Sequence, residues 1–376
     1  MPSILLEDVC QQFNIGAAAF GQFSGIYYIG YSALHLPIGI LLDRVGPKKV
    51  MSISILLTTI GLLPLLFAEH WGYPVAGRAL IGIGSSAAIL GLFKIIRMSF
   101  SEARFARMLS ISVTIGLIGA IYGGTPVSMM RDAFGYKAVI ECFAFVGLAL
   151  ALATYWIIPN FKTESSGTVL SDVKEVLTNR RVLLLCLSAG FMVGPLEGFA
   201  DVWGTVFLKQ VCGVDSVIAA GLPSMIFIGM CFGAPALSFA AEKIGYLPTI
   251  IAAGATMAGS FFFFLTSSMP STVISLSFLL IGICSAYQIL AIYKASISGR
   301  EQVAGLTTAM ANMIIMIFGY AFHTTIGTVV NYMGGPTVSQ ALIYGVAVIP
   351  IALLIGTLGF IGVFATERKL IARLTE

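Results

Sequence analysis

The chain has 376 residues, 58% of them hydrophobic and only 10% charged, with a mean hydropathy of +0.96. Water cannot be the solvent for most of such a chain, which excludes an ordinary soluble domain and points to a polytopic membrane protein. The net charge of +4 comes from basic loops, so it speaks for orientation in a membrane and not for nucleic-acid binding.

Charge-free stretches run from Val50 to Ala68, Met108 to Met130, Ser216 to Ala241 and Gln302 to Thr366. Each is long enough for one or two spans, since a hydrocarbon core of about 30 Å takes about 20 helical residues. A β-barrel would alternate in segments of roughly 10 residues, a pattern the chain lacks. The start, MPSILLEDVCQQ, has neither the basic n-region nor the cleavage site of a signal peptide. Apolar runs between charged or Gly/Pro breaks predict helices near 17–42, 50–68, 74–98, 107–130 and 137–158. A second series follows near 182–208, 216–241, 247–267, 271–294, 304–331 and 337–364. The expectation is therefore an all-α protein with eleven full spans.

Residues 159–181 form the long polar interruption, with a short surface helix expected from Ser171. They separate an N-terminal membrane half, 1–158, from a C-terminal half, 182–364, followed by a tail, 365–376. Arg44, Lys48, Lys49, Lys174, Arg180, Arg181, Lys243, Arg368 and Lys369 gather on one side, whereas the other receives Arg131, Lys137 and Lys209. The positive-inside rule makes the first side cytoplasmic, the C-terminus included, in a cell membrane expected to be a bacterial inner membrane. The six cysteines, Cys10, Cys142, Cys186, Cys212, Cys231 and Cys284, show no CxxC spacing and read as free thiols. Cys10 and Cys212 fall in corresponding outer loops, where an oxidising compartment would let them crosslink.

The halves look like repeats. LLEDVCQQFN (Leu5 to Asn14) aligns with FLKQVCGVDS (Phe207 to Ser216), and LPIGILLDRVG with APALSFAAEKIG, pairing Asp43 with Glu242 and Gly46 with Gly245. Parallel repeats about an axis along the membrane normal are one transporter architecture. Residues 1–6 align with 203–208, the outer end of a helix, so a twelve-helix plan would have about 20 further residues before Met1. A late-called start, a truncated gene or an authentic eleven-helix form each accounts for this.

GILLDRVGPKK, Gly39 to Lys49, carries Gly39, Asp43, Arg44, Gly46, Lys48 and Lys49 in the spacing Gly-x-x-x-Asp-(Arg/Lys)-x-Gly-x-(Arg/Lys)-(Arg/Lys). The chain resembles the major facilitator superfamily on this motif, on its degraded copy SFAAEKIG and on its helix count and central loop. The resemblance implies two pseudo-symmetric helical bundles and a cytoplasmic latch in which Asp43 and Arg44 join the halves, with the acceptor helix starting near Val303. Gly39 is expected to let helices approach closely and Gly46 to permit a tight turn; the lysines alternatively serve topology alone. RALIGIGSSAA, from Arg78, is similar to the family's fourth-helix motif. GLIGAIYGGTP resembles the fifth-helix motif of antiporters, but Thr125 separates Gly124 from Pro126, which weakens an efflux assignment.

Ionisable groups inside spans are candidates for function, because exposing their charge to lipid costs at least about 2.5–3.5 kcal/mol. Glu197 and Asp201 share a helix face one turn apart. They lie about 3 and 9 Å outward of a midpoint near Pro195, where Gly194 and Pro195 interrupt backbone bonding. Glu197 is expected to titrate during transport and Asp201 to pair with substrate or a cation. Arg78, at similar depth, would bind an anionic group or pair with Asp201. His35 and His323 would relay protons or pack, Gln288 and Asn312 would hydrogen-bond in the cavity, and Tyr27, Tyr28 and Tyr31 read as packing. Glu141, Lys94 and Arg97 read as structural or interfacial.

The function expected is secondary transport by alternating access: proton-coupled uptake of a small polar or charged organic solute such as an amino acid, peptide or organic acid. Proton-driven efflux of drugs or metabolites is the alternative, and a non-transporting sensor or assembly protein a second one. With no P-loop, HExxH or GxSxG, an enzyme is not expected. No cofactor or metal is expected, and the partners are the solute, protons and the bilayer, with the protein acting as a monomer.

Overall fold

The computed structural model of the protein describes residues 2–100, 108, 111–112, 115–116, 118–160, 169–266, 269–299 and 304–375. Arg104, Arg107, Lys162, Arg300 and Val303, and the side chains of Asp43 and Arg97, lie outside the described set. Every regular element within it is helical: α1 (Pro2–Phe13), α2 (Ala17–Arg44), α3 (Pro47–Phe67), α4 (Gly72–Ser85 and Ala87–Ser99), α5 (Thr125–Phe134) and α6 (Tyr136–Ile157). They are followed by α7 (Val169–Thr178), α8 (Arg180–Gln210), α9 (Ser216–Ile244), α10 (Tyr246–Thr266), α11 (Ser271–Ser285 and Tyr287–Ser296), α12 (Ala304–Tyr332) and α13 (Ser339–Thr375). Ten of these are long and apolar enough to cross a membrane, and the expected span 107–130 includes residues outside the described set. Helices are what lipid demands, since each backbone polar group must find its partner within the segment.

The repeat read in the sequence is also present in the backbone. Gly46 has φ 92° and ψ 155°, and Gly245 has φ 92° and ψ 158°. Both are left-handed turns that L side chains rarely adopt, and each starts the next helix at once. In the first half, a Cβ on Gly30 would meet the Ala79 carbonyl at 2.3 Å and one on Gly82 the Tyr27 carbonyl at 2.0 Å. In the second, Gly229 would meet the Leu279 carbonyl at 2.2 Å and Gly282 the Ile226 carbonyl at 2.1 Å. The α2–α4 and α9–α11 contacts are thus one backbone-on-backbone packing used twice, as expected where lipid supplies no hydrophobic drive and small residues set helix approach. Both α4 and α11 break near their middles, at Ser86 and Ala286, and Ser86 and Ser285 each turn a hydroxyl onto a carbonyl three residues back, at 2.7 and 2.8 Å.

Gly39 departs from expectation: a Cβ there would meet only Leu90, at 3.9 Å, so the motif's first glycine marks no close approach. The C-terminal tail departs too, because α13 continues as helix to Thr375. ATERKLIARLT contains no Gly or Pro to stop it, and Glu367 is tied to Arg181 on α8 and to Lys294 on α11, the latter at 3.2 Å. The surface helix expected from Ser171 is α7; its Val176 is buried, and Asn179 behind it caps α8 by accepting from the backbone N–H groups of Arg181 and Val182.

The paired glycines yield a test. Gly82→Ala and Gly282→Ala should each lower thermal stability in detergent by about 1–3 kcal/mol of overpacking, whereas Gly259→Ala, whose Cβ would meet nothing within 4 Å, should be neutral or stabilising. Equal melting of all three variants would refute the backbone-contact account.

Candidate functional site

Of the ten spans among the described residues, α8 is the most enclosed, with 72% of its apolar stretch buried. It also changes its winding where the acids stand. Pro195 lies inside the helix, and Phe199–Trp203 form a π-turn in which the Gly204 N–H bonds to the Phe199 carbonyl five residues back. Single π-turns of this kind re-aim side chains and recur at functional sites. Asp201 sits in that wide turn and Glu197 just before it.

The two acids converge on one phenol. Tyr28 on α2 points its hydroxyl at Glu197 Oε2 (3.0 Å) and at Asp201 Oδ2 (2.8 Å). His323 on α12 stacks on the Tyr28 ring, centroids 5.4 Å apart, and holds Nε2 3.8 Å from Asp201 Oδ2. His323 is fully buried, and neither of its ring nitrogens has a hydrogen-bond partner among the described residues. Glycine makes the convergence possible. A Cβ on Gly319 would strike the Tyr28 ring at 2.6 Å, and one on Gly25 would meet the Tyr320 backbone at 3.0 Å and the His323 side chain at 3.1 Å. Gly194 faces the Phe318 carbonyl at 2.7 Å in the same way. Three helices from both halves are thereby drawn together around four polar side chains.

Proton bookkeeping follows from valence. A phenol carries one donor and accepts through its oxygen, while an ionised carboxylate only accepts. Tyr28 satisfies both acids fully when one of them is protonated, accepting from that carboxyl and donating to the other. Glu197 also lines a cavity of about 30 Å³ with Gln288, Phe227, Met230 and Ser285, room on the order of a water molecule or two.

The remaining candidates fall along α2. Arg78 makes no ion pair among the described residues and does not reach Asp201. Its guanidinium lies 4.9 Å from the Tyr27 ring centroid and 5.9 Å from that of Phe23, a cation–π arrangement, with a buried Nε that has no hydrogen-bond partner among the described residues. Tyr27 meets Tyr28 edge-on at 5.1 Å, so two aromatic rings stand between Arg78 and the acids. Asn312 donates to the Tyr31 hydroxyl at 3.5 Å, and His35, buried, stands 5.0 Å from the Tyr31 ring. The motif from Gly39 to Lys49 is separate: Lys48 lies over the Tyr155 ring at 4.8 Å, and Lys49 and Glu242 are exposed. Among the described residues no cluster of His, Cys, Asp and Glu is set to hold a metal.

Tyr28 corrects the reading of the α2 tyrosines as packing alone. The ring does pack, but its hydroxyl is the shared partner of both acids. Glu7 and Asp8 were also missed. At the end of the bundle opposite the basic loops, Lys209 binds Glu7 at 2.6 Å across the halves, and Arg131 binds Asp8 at 2.9 Å. The hydrogen bond from Arg131 to Asp8 raises the guanidinium above its ordinary range. Thr125 meets the Val217 carbonyl at 3.4 Å nearby, and a Cβ on Gly16 would meet Asn331 at 2.8 Å. The halves are therefore in contact at this end. Cys10 and Cys212 are free thiols, and burial pushes the Cys10 thiol up to about 11.

Comparison with known proteins agrees with this architecture. The family model described as Major Facilitator Superfamily matches residues 1–323. The chain belongs to the Major Facilitator Superfamily. Curated relatives of this superfamily member include the chloramphenicol resistance protein CraA of Acinetobacter baumannii, 21% identical over 83% of this chain and 78% of that one. The multidrug transporter MdfA of Yersinia pestis is 26% identical over 50% of this chain and 47% of its own. Among solved structures, the nucleoside transporter NupG superposes with a TM-score of 0.78 at 14% identity, covering 96% of this chain and 94% of that one. The protein is thus a multi-pass membrane protein with the fold of the superfamily's transporters.

Two measurements probe the geometry. In infrared spectra of purified protein, Tyr28→Phe should shift the protonated-carboxyl band, because the carboxyl loses its hydrogen-bond partner while the ring still packs on Gly319; an unmoved band would remove Tyr28 from the group. In a variant lacking the six native cysteines, Ser128→Cys reports on outer opening, since Ser128 is buried. Lys209→Glu should raise its labelling by an impermeant maleimide by about two- to fivefold, the scale of a half-exposed ion pair, and adding Glu7→Lys should reverse the rise.

Proposed function

We propose that this transporter is a proton-coupled secondary carrier in which Tyr28, Glu197, Asp201 and His323 form the proton-exchanging group. The observation that carries the reading is a single phenol shared by two carboxylates at the seam between the halves. Tyr28 belongs to the first half and its three partners to the second, so rocking of the halves parts the phenol from the acids. The acids then meet water and solute instead of the hydroxyl, and their proton occupancy changes with the conformation. Gln288 and Asn312 serve as hydrogen-bonding groups beside this path, and Arg78 as its fixed cation.

We favour exchange of protons for an exported organic solute over the uptake that the sequence suggested, because the relatives named above are resistance and multidrug proteins. Two acids near mid-membrane suit such exchange, since a cationic or polar solute competes with protons for the same oxygens. The uptake reading keeps one supporting observation, the buried Arg78 Nε without a partner, which suits an anionic solute. The proposed setting is a bacterial inner membrane with the basic loops and the C-terminus cytoplasmic. The cytoplasmic motif from Gly39 to Lys49, with Glu242 in its copy, is proposed as the gate opposite the outer contacts. All four members of the proton group come from one chain, which supports action as a monomer.

Proteoliposomes with an imposed proton gradient test the reading, with chloramphenicol, a quinolone and a nucleoside as the first solutes. Glu197→Gln should lower gradient-driven transport about tenfold or more, the scale of a lost hydrogen bond to a charged group, and flatten its pH dependence while solute counterflow persists. Gradient-driven transport with unchanged pH dependence in this variant would end the proton role of Glu197.

A further inference from the structure

At the basic membrane surface, far from the proton group, α8 and α13 part to leave a groove of about 610 Å³. Arg180, Arg181 and Glu367 line its mouth, and Leu184, Gly359 and Gly362 line its depth. At the mouth Glu367 is already bound by Arg181 and by Lys294 at 3.2 Å. Arg180 is exposed and has no carboxylate partner among the described residues. Three cations against one carboxylate leave a surplus of two positive charges.

The depth has the opposite chemistry. Leu184 is 54% exposed, and a Cβ on Gly362 would meet nothing within 4 Å. The groove faces away from the transport path. Leu184 stands about 140° round α8 from Glu197 at about 100° per residue, and Leu185 and Ala189 pack inward between them. Leu187 on α8 and Leu358 on α13 continue the exposed apolar surface. A cationic mouth at headgroup level opening onto an apolar trough matches a molecule with a phosphodiester and an acyl chain. A soluble anion would use the mouth alone and leave the trough to solvent or lipid. Juxtamembrane Lys and Arg residues attract anionic lipid, and basic pockets between helices take such headgroups.

We propose that the α8–α13 groove is a binding site for an anionic phospholipid, whose phosphodiester sits at Arg180 and Arg181 and one of whose acyl chains lies over Leu184 and Gly362. The site joins the first turn of the helix that carries Glu197 and Asp201 to the last spanning helix. It stands independently of the proton-exchange reading.

The test is native mass spectrometry of full-length protein in mixed micelles holding equal phosphatidylglycerol and phosphatidylethanolamine. Wild type should retain phosphatidylglycerol preferentially. Arg180→Gln should lower that retention about fivefold, the scale of one basic residue near a membrane surface, and Gly362→Leu should lower it by filling the trough without touching a charge. Both variants alter exposed positions, and unchanged melting temperatures would confirm that they fold. Equal retention of the two lipids by wild type, or retention unaffected in both variants, would overturn the proposal. So would displacement of phosphatidylglycerol by millimolar inorganic phosphate, which would assign the mouth to a soluble anion.

Discussion

The closeness of α2, α8 and α12 governs this molecule. Gly25 and Gly319 let α2 and α12 touch along the seam, and Gly194 lets α8 touch α12. In lipid, helix association rests on such contact, because tails are as apolar as the side chains they would replace. The same contact decides the chemistry. With a side chain at Gly319 the Tyr28 ring could not lie against α12, and its hydroxyl could not reach Glu197 and Asp201 together. One arrangement thus serves as seam between the halves and as the place where four polar groups are withdrawn from lipid.

This coincidence gives the outer contacts their meaning. Glu7 with Lys209, and Thr125 with Val217, hold the ends opposite the basic loops together, but an ion pair exposed to the extent of Glu7–Lys209 is worth at most about 1 kcal/mol. A carrier that must reopen needs contacts of that size rather than a sealed core. The larger energetic stake lies deeper, where breaking the seam would strand the Tyr28 hydroxyl and two carboxylates unless water or solute replaces the lost partners. Opening is thereby made conditional on what enters.

The fold was largely legible in the sequence, and the acids were too. Helical apolar runs, the central polar loop and the Asp43–Glu242 and Gly46–Gly245 pairings need only hydropathy and spacing, and charge inside a span stands out because lipid makes it expensive. Tyr28 was not legible. A tyrosine in an apolar helix reads as packing, and only the tertiary approach of α8 shows what its hydroxyl touches. The π-turn at Phe199–Trp203 was equally hidden, since no local residue pattern in the sequence marks it. Glu7 and Asp8 stand outside the long spans, where charge is cheap and carries no signal. For Glu197, depth and the Gly-Pro break together singled it out, and those are properties of one helix alone.

The shared phenol makes the protonation of the two acids interdependent. With both acids ionised, one phenolic proton is shared by two anions, and two negative charges face each other near mid-membrane with His323 the nearest candidate cation. With both acids protonated, three donors crowd a few ångströms, and the phenol no longer has an anion to donate to. With one carboxyl proton, the phenol accepts from the protonated acid and donates to the ionised one. A closed seam therefore favours a single added proton, and any event that supplies a competing cation or removes Tyr28 shifts that preference. On the proposed rocking of the halves, Tyr28 departs with its half, so proton number and helix arrangement would become one variable, which is the condition that a coupled carrier must meet.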